Sequence, residues 1–206
     1  MPRVETVPVD RLSPRARALL DEGVAAGVYN NNTGEIPASM RTLAYSSYAL
    51  ESAHALSMAM WQPGLLGQRF QELLRIRSAQ VNGCANCAAA IKDDGVSGED
   101  VACMLDSDLS SFTPREAAAM AYVNKFAGDH HQIGDGDIVA LLEHFSPAEV
   151  VELVFYVAMM LGSHRMFDVL KVVSDSEPVI RFDPAAVDRP AGKSSSTGEQ
   201  CADAEV

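Results

Sequence analysis

Three Ser/Thr-Pro pairs constrain this chain more than any other feature: Ser13-Pro14, Thr113-Pro114 and Ser146-Pro147. A hydroxyl at the N-cap satisfies a free backbone N–H, and proline suits the first helical position, where its missing N–H would have no partner anyway. Glu116 and Glu149 stand three residues after the second and third caps and complete capping boxes. Ser97 with Asp100 predicts a short helix running to Leu105, and Asp135 predicts another from Gly136 to His144. Between Ser39 and Trp61 the apolar residues Met40, Leu43, Leu50, Met58 and Trp61 return at helical spacing. Leu66, Phe70, Leu73 and Leu74 do the same between Leu65 and Gln80. No run alternates at period two for long enough to build a sheet. The chain therefore reads as all-α, a bundle of six to eight helices.

The 206 residues are enough for one domain with a sizeable core. Residues 1–12 read as an extended arm punctuated by Pro8, residues 13–183 as a single helical domain, and residues 184–206 as a disordered tail. The tail contains Ser194-Ser195-Ser196-Thr197, no apolar periodicity, and Cys201. Tyr29 to Pro37, with Asn30-Asn31-Asn32 and Gly34, is read as a loop. Acidic residues exceed basic ones by 12, which argues against a nucleic-acid partner. The longest apolar stretch, Leu153 to Gly162, is too short to span a bilayer and is read as a core helix, so no membrane partner is expected. The opening residues lack a signal-peptide pattern, giving a cytoplasmic expectation in which the four cysteines are mostly thiols.

The chemistry concentrates at Asn82-Gly83-Cys84-Ala85-Asn86-Cys87, with Glu72 twelve residues before the first cysteine. Thiols at i and i+3 on a helix share one face, and a helix N-terminus favours a thiolate. A redox pair, half of a zinc site and two small core residues are the available readings. A tetrahedral zinc site needs four ligands, and neither a second C-x-x-C nor an H-x₃₋₅-H occurs, so no metal is expected.

The stretch from Glu72 through Arg75-Ile76-Arg77-Ser78-Ala79-Gln80-Val81 to Cys87, in an all-helical chain, resembles the alkylhydroperoxidase D-like, or carboxymuconolactone decarboxylase, family. The resemblance is strongest over about Leu66 to Gly95. It implies that Glu72, Cys84 and Cys87 carry a proton relay and a dithiol, with the second cysteine the attacker. Ile91 stands where the family's peroxidase branch has a histidine, and Asn86 where many relatives have His or Tyr. The relay is thus cut at Ile91, whose side chain is expected to wall Cys87 with methyl groups one helical turn on. The resemblance also implies a homo-oligomer, trimer or hexamer, and a dithiol electron donor. No flavin, haem or nicotinamide motif occurs, so no cofactor is called for beyond the cysteines.

The expected function is a thiol-dependent oxidoreductase acting on a small-molecule peroxide or disulfide. The alternatives are a cofactor-independent decarboxylase or lactone-type enzyme on a small carboxylic acid, and a binding protein without turnover. His54 lies in the apolar register of its helix and is the first choice for a replacement base if it faces Glu72. Glu72 has Arg69 and Arg75 at i−3 and i+3, so a solvated ion-pair ladder also explains it. Arg165 is a candidate clamp for a substrate carboxylate, with His164 beside it; a surface pair between His164 and Asp168 is the plainer account. His130 and His131 read as surface loop, the methionines as core filler, and Cys103 as a small buried residue.

Overall fold

The computed structural model describes residues 2–29, 35–84, 87–88, 91–105 and 109–172. Eight helices are defined among them: α1 (Pro14–Ala25), α2 (Ala38–Leu43), α3 (Ser47–Met60), α4 (Gln68–Val81), α5 (Gly98–Cys103), α6 (Pro114–Asp129), α7 (Asp135–Leu142) and α8 (Pro147–Leu170). No strand occurs among the described residues, and the fold is all-α as the periodicity predicts. The tail from residue 184 lies outside the described residues.

The Ser/Thr-Pro caps act as their chemistry requires. Ser13 Oγ accepts from the Ala16 N–H, and capping boxes close at Thr113 with Glu116, Ser146 with Glu149, and Ser97 with Asp100. Two boundaries differ from the sequence reading. The segment from Ser39 to Trp61 is two helices, because Ser46 turns into the extended region and caps α3 at the Ala49 N–H. At α7 the cap is Gly134 rather than Asp135, with the Asp137 carboxylate accepting from the Gly134 N–H.

Helix α4 is the axis of the molecule. Its sequence is more polar than apolar, yet every residue from Phe70 to Gln80 is buried. One side, through Phe70 and Leu74, packs into a core with Val123 of α6, Leu141 of α7, and Leu153, Val157 and Leu161 of α8. The other, through Leu73 and Ile76, packs with Val96, Cys103, Met104, Phe112 and Met120. A third cluster joins α1, α2 and α3 through Leu19, Leu20, Met40, Leu43 and Leu50. Burial of this kind contributes about 1.5–3 kcal/mol per large apolar side chain. The charged residues of α4 stay inside because they find partners: Arg77, for example, donates to Asn124 Oδ1 at 2.7 Å and to the Met104 carbonyl.

Helix α8 is longer than the apolar stretch that announces it. By length and composition it could cross a membrane, but one face is buried against α4, α6 and α7 through Val150, Leu153, Val157 and Leu161. It also holds the start of α4, since the Glu152 carboxylate accepts from the N–H groups of Leu65 and Leu66. The N-terminal arm lies at its far end, where Arg3 donates to the carbonyls of Val169 and Leu170.

Candidate functional site

The first cysteine is placed by the end of α4. Asn82 closes the helix, Gly83 takes φ +74°, and the N–H groups of Gly83 and Cys84 bond to the carbonyls of Gln80 and Ala79. This is a Schellman motif; a residue with a Cβ disfavours the left-handed conformation, which is why Gly83 precedes the cysteine. Cys84 is thereby folded back onto the last turn of α4 and is buried. Its carbonyl accepts from the Ala88 N–H at 2.9 Å, the first bond of a new helical turn, and Cys87 and Ala88 are helical.

Cys84 and Cys87 are joined by a disulfide with a Cα–Cα separation of 5.3 Å. Cys87 is the more exposed of the two. Cys103, buried in the cluster around Leu73 and Ile76 of α4, is also disulfide-bonded and offers the pair no resolving thiol in this state.

Beneath the pair lies a buried charge cluster. Glu72 and Arg75 form a two-point ion pair, Nε and Nη2 each 2.7 Å from a carboxylate oxygen, and both residues are under a tenth exposed. Arg75 Nη1 donates to the Cys87 carbonyl at 2.6 Å, which ties the cluster to the cysteine helix. The Lys92 backbone N–H donates to Glu72 Oε1 at 2.6 Å. The Lys92 ammonium folds inward, donating to the Val28 carbonyl at 3.2 Å and standing 5.6 Å from the centre of the Trp61 ring. Burial pushes its pKa down to about 8, with Arg75 acting in the same direction and Glu72 against it. Glu72 is therefore not part of a solvated ladder, and Arg69 turns away to the Gly95 carbonyl, Asp100 and Glu116.

Helix α8 closes the cluster from the other side. Tyr156 is buried there, its phenol pushed well above the usual range by burial. His164, two turns on, is also buried, and its pKa falls to about 4, first through burial and then through Arg75, with Lys92 adding to the effect and the Ser78 backbone opposing it. His164 Nδ1 and Ser78 Oγ have no hydrogen-bond partner among the described residues.

The other expectations fare unevenly. His54 is buried, but its ring bonds to Tyr29 (Oη to Nδ1, 2.9 Å) and faces Glu22 at 3.5 Å, so its partners lie on the α1 side rather than at Glu72. Arg165 is exposed and braces the helices, Nε on Asn82 Oδ1 at 3.2 Å and Nη2 on the Ala127 carbonyl at 2.7 Å, which occupies the fork a carboxylate clamp would use. A surface pair of His164 with Asp168 is excluded by the burial of His164. Ile91 is 39% exposed and lies in irregular backbone, not one turn on along a helix from Cys87 as the sequence reading expects. Asp129, His130 and His131 group on the surface around a 3-10 turn, and nothing further marks them as a metal site.

Lys92 is the functional candidate that sequence reasoning misses. Its signal is faint: a lysine five residues after a C-x-x-C is ordinary, and only the tertiary structure shows that it is half-buried with its amine turned to the Val28 carbonyl and the Trp61 ring.

Residues 49–125 match the carboxymuconolactone decarboxylase family. No match was found among curated proteins. Among solved structures, the chain is similar to a peroxidase-related protein from Silicibacter sp. TM1040, with TM-score 0.68 and 12% identity over 85% of this chain and 93% of that one. It is also similar to an Agrobacterium tumefaciens protein of unknown function, described there as an AhpD-type antioxidant defence candidate, with TM-score 0.58 and 23% identity over 65% of this chain and 94% of that one. The match to the carboxymuconolactone decarboxylase family thus spans the segment from α3 to α6 that holds the cysteine pair, and the two solved structures share the all-helical fold.

Proposed function

We propose that the protein is a thiol oxidoreductase that reduces a small hydroperoxide or disulfide with Cys84 and Cys87, using an external dithiol as electron donor. The carrying observation is the closed Cys84–Cys87 disulfide at the start of a helical turn, tied by the Arg75 to Cys87 hydrogen bond to a buried group of charges. The family and the Agrobacterium neighbour suggest an antioxidant role, and the family contains enzymes.

The electrostatics suit a thiolate without the motif histidine. Glu72, Arg75 and Lys92 sum to one positive charge at pH 7, since a lysine of pKa about 8 is still mostly protonated there. Nearby positive charge lowers a thiol's pKa from about 8.5. Cys87, the more exposed sulfur, is the attacker and Cys84 the resolving thiol. Glu72 orders the cluster: its two oxygens take up Arg75 and the Lys92 backbone, so its first role is to hold those donors in place.

The test is consumption of an organic hydroperoxide with dithiothreitol by the wild type, Cys84→Ser and Cys87→Ser. Loss of turnover in both variants is expected, and turnover that survives both overturns the reading. One observation favours the second class: Glu72, Arg75 and the depressed Lys92 amine form an acid/base group that needs no thiol. An inert cysteine pair in a protein that still turns over a small carboxylic acid is the outcome that selects it.

A further inference from the structure

We propose that His164 of α8 is the proton acceptor for the Cys84 thiol, a part taken over from the histidine that Ile91 replaces. The proposal deepens the redox reading of the cysteine pair and rests on it.

Two helix faces meet at this point. Glu72, Arg75 and Ser78 recur every three residues on α4, and Tyr156, Met160 and His164 recur every four on α8, so each set forms one stripe, and the two helices pack together. Where the stripes end toward Cys84, Ser78 Oγ and His164 Nδ1 are both buried and both lack a hydrogen-bond partner among the described residues. An unsatisfied buried polar group costs about 1–3 kcal/mol, so two from neighbouring helices at one place call for a reason.

The cysteine supplies one. Cys84 bonds back to Ala79, the residue after Ser78, and the residue after His164 bonds to Asn82, two before Cys84. The last turn of α4, the turn at Gly83 and the His164 segment of α8 are thus held together. Cys84 is buried, so its proton needs a nearby acceptor before it can reach water. His164 is held as the neutral base by burial and by Arg75 and Lys92; Glu72 of α4 pairs with that same Arg75, Tyr156 lies two turns earlier on α8, and Arg165 and Asp168 follow on its own helix. A thiolate forming at Cys84 raises the imidazole's proton affinity, so the proton moves as the sulfur becomes nucleophilic.

The cycle balances. Cys87 thiolate attacks the terminal oxygen of a hydroperoxide, the O–O bond breaks, the alkoxide takes a proton from solvent and leaves as alcohol, and Cys87 becomes a sulfenic acid. Cys84 sulfur then attacks Cys87 sulfur as its proton passes to His164. The S–S bond forms, the S–O bond breaks, and hydroxide takes up that proton and leaves as water. The two cysteines have lost two electrons to the peroxide, and the external dithiol returns them by thiol–disulfide exchange.

The experiment reads alkylation of the reduced protein by iodoacetamide from pH 5 to 10, scored separately for Cys84 and Cys87 on the tryptic peptide 78–92. In His164→Gln the apparent pKa of Cys84 is expected to rise by about one unit, a roughly tenfold slower reaction at pH 7, with the Cys87 profile unmoved. An unchanged Cys84 profile overturns the proposal. Should the variant not fold, ¹⁵N-histidine NMR of the wild type decides: His164 ring nitrogens that shift when the disulfide is reduced support the role, and nitrogens that do not shift overturn it. Labelling needs no peroxide, so the two ideas fail separately. An unmoved profile in a wild type that turns over peroxide removes only His164, whereas a wild type without turnover removes the redox reading.

Discussion

At the residue scale, Glu72 changes meaning once its burial is known. An exposed ion pair contributes about 0–1 kcal/mol, but Glu72 and Arg75 are both buried, and removing one partner leaves the other charge uncompensated. Glu72→Gln is expected to destabilise the fold by about 3–5 kcal/mol in urea unfolding, with the double variant Glu72→Gln/Arg75→Met recovering much of the loss. A single variant as stable as the wild type would show that water reaches the pair. Because Arg75 also holds the Cys87 carbonyl, both variants are expected to slow thiol turnover, and stability alone does not separate the two roles.

At the scale of elements, the cysteines depend on how α4 ends. The Schellman bonds from Gly83 and Cys84 require a left-handed residue at position 83, and a Cβ there costs about 1–2 kcal/mol. Gly83→Ala is expected to lower stability by that amount in thermal unfolding. It should also slow re-formation of the Cys84–Cys87 disulfide after reduction, because Cys84 loses the bond that folds it back onto α4. Re-formation at the wild-type rate would mean that the turn does not position the thiol. The start of α4 has a different guarantor, the Glu152 carboxylate of α8, so both ends of the central helix are tied to the last one.

At the scale of the whole molecule, the buried histidine sets an acid limit. His164 is ordinarily titrated near 6.5 and falls to about 4 in the fold. Between these values the unfolded chain binds the proton that the folded one refuses, so stability is fully present above pH 6.5 and falls as pH drops toward 4. The loss is about 3 kcal/mol, and in His164→Gln it should disappear from urea-unfolding curves over pH 7 to 4. A wild-type curve that is flat through this window contradicts the burial of a neutral imidazole. The carboxyls of Asp100, Asp137 and Glu149, held below their usual range, begin to act only at the acid end of this window, so the His164→Gln difference curve isolates the histidine. On the far side of α8, Val151, Phe155 and Val169 are exposed. They suit the homo-oligomer that the family resemblance implies, for which light scattering should give a multiple of 22.1 kDa; the monomer mass would remove that expectation.

Helix starts were legible because an N-cap is a local contract: Ser, Thr and Pro at the right offsets satisfy backbone groups within four residues, and α1, α5, α6 and α8 begin where they stand. The C-x-x-C pair, its glycine turn and the glutamate spacing were legible for the same reason, each being a short-range relation along one chain. Local patterns did not separate α2 from α3, since Ser46 looks like any serine until its φ and ψ are known. Nor do they say which side of a polar helix is buried. Only packing α4 among α5, α6 and α8 turned Glu72 from a surface candidate into a buried ion pair. The same packing drew the Lys92 amine inward and tied Arg165 to helix ends. It set His164 against Ser78, eighty-six residues apart in sequence, because desolvation and partner choice depend on what neighbouring helices bring.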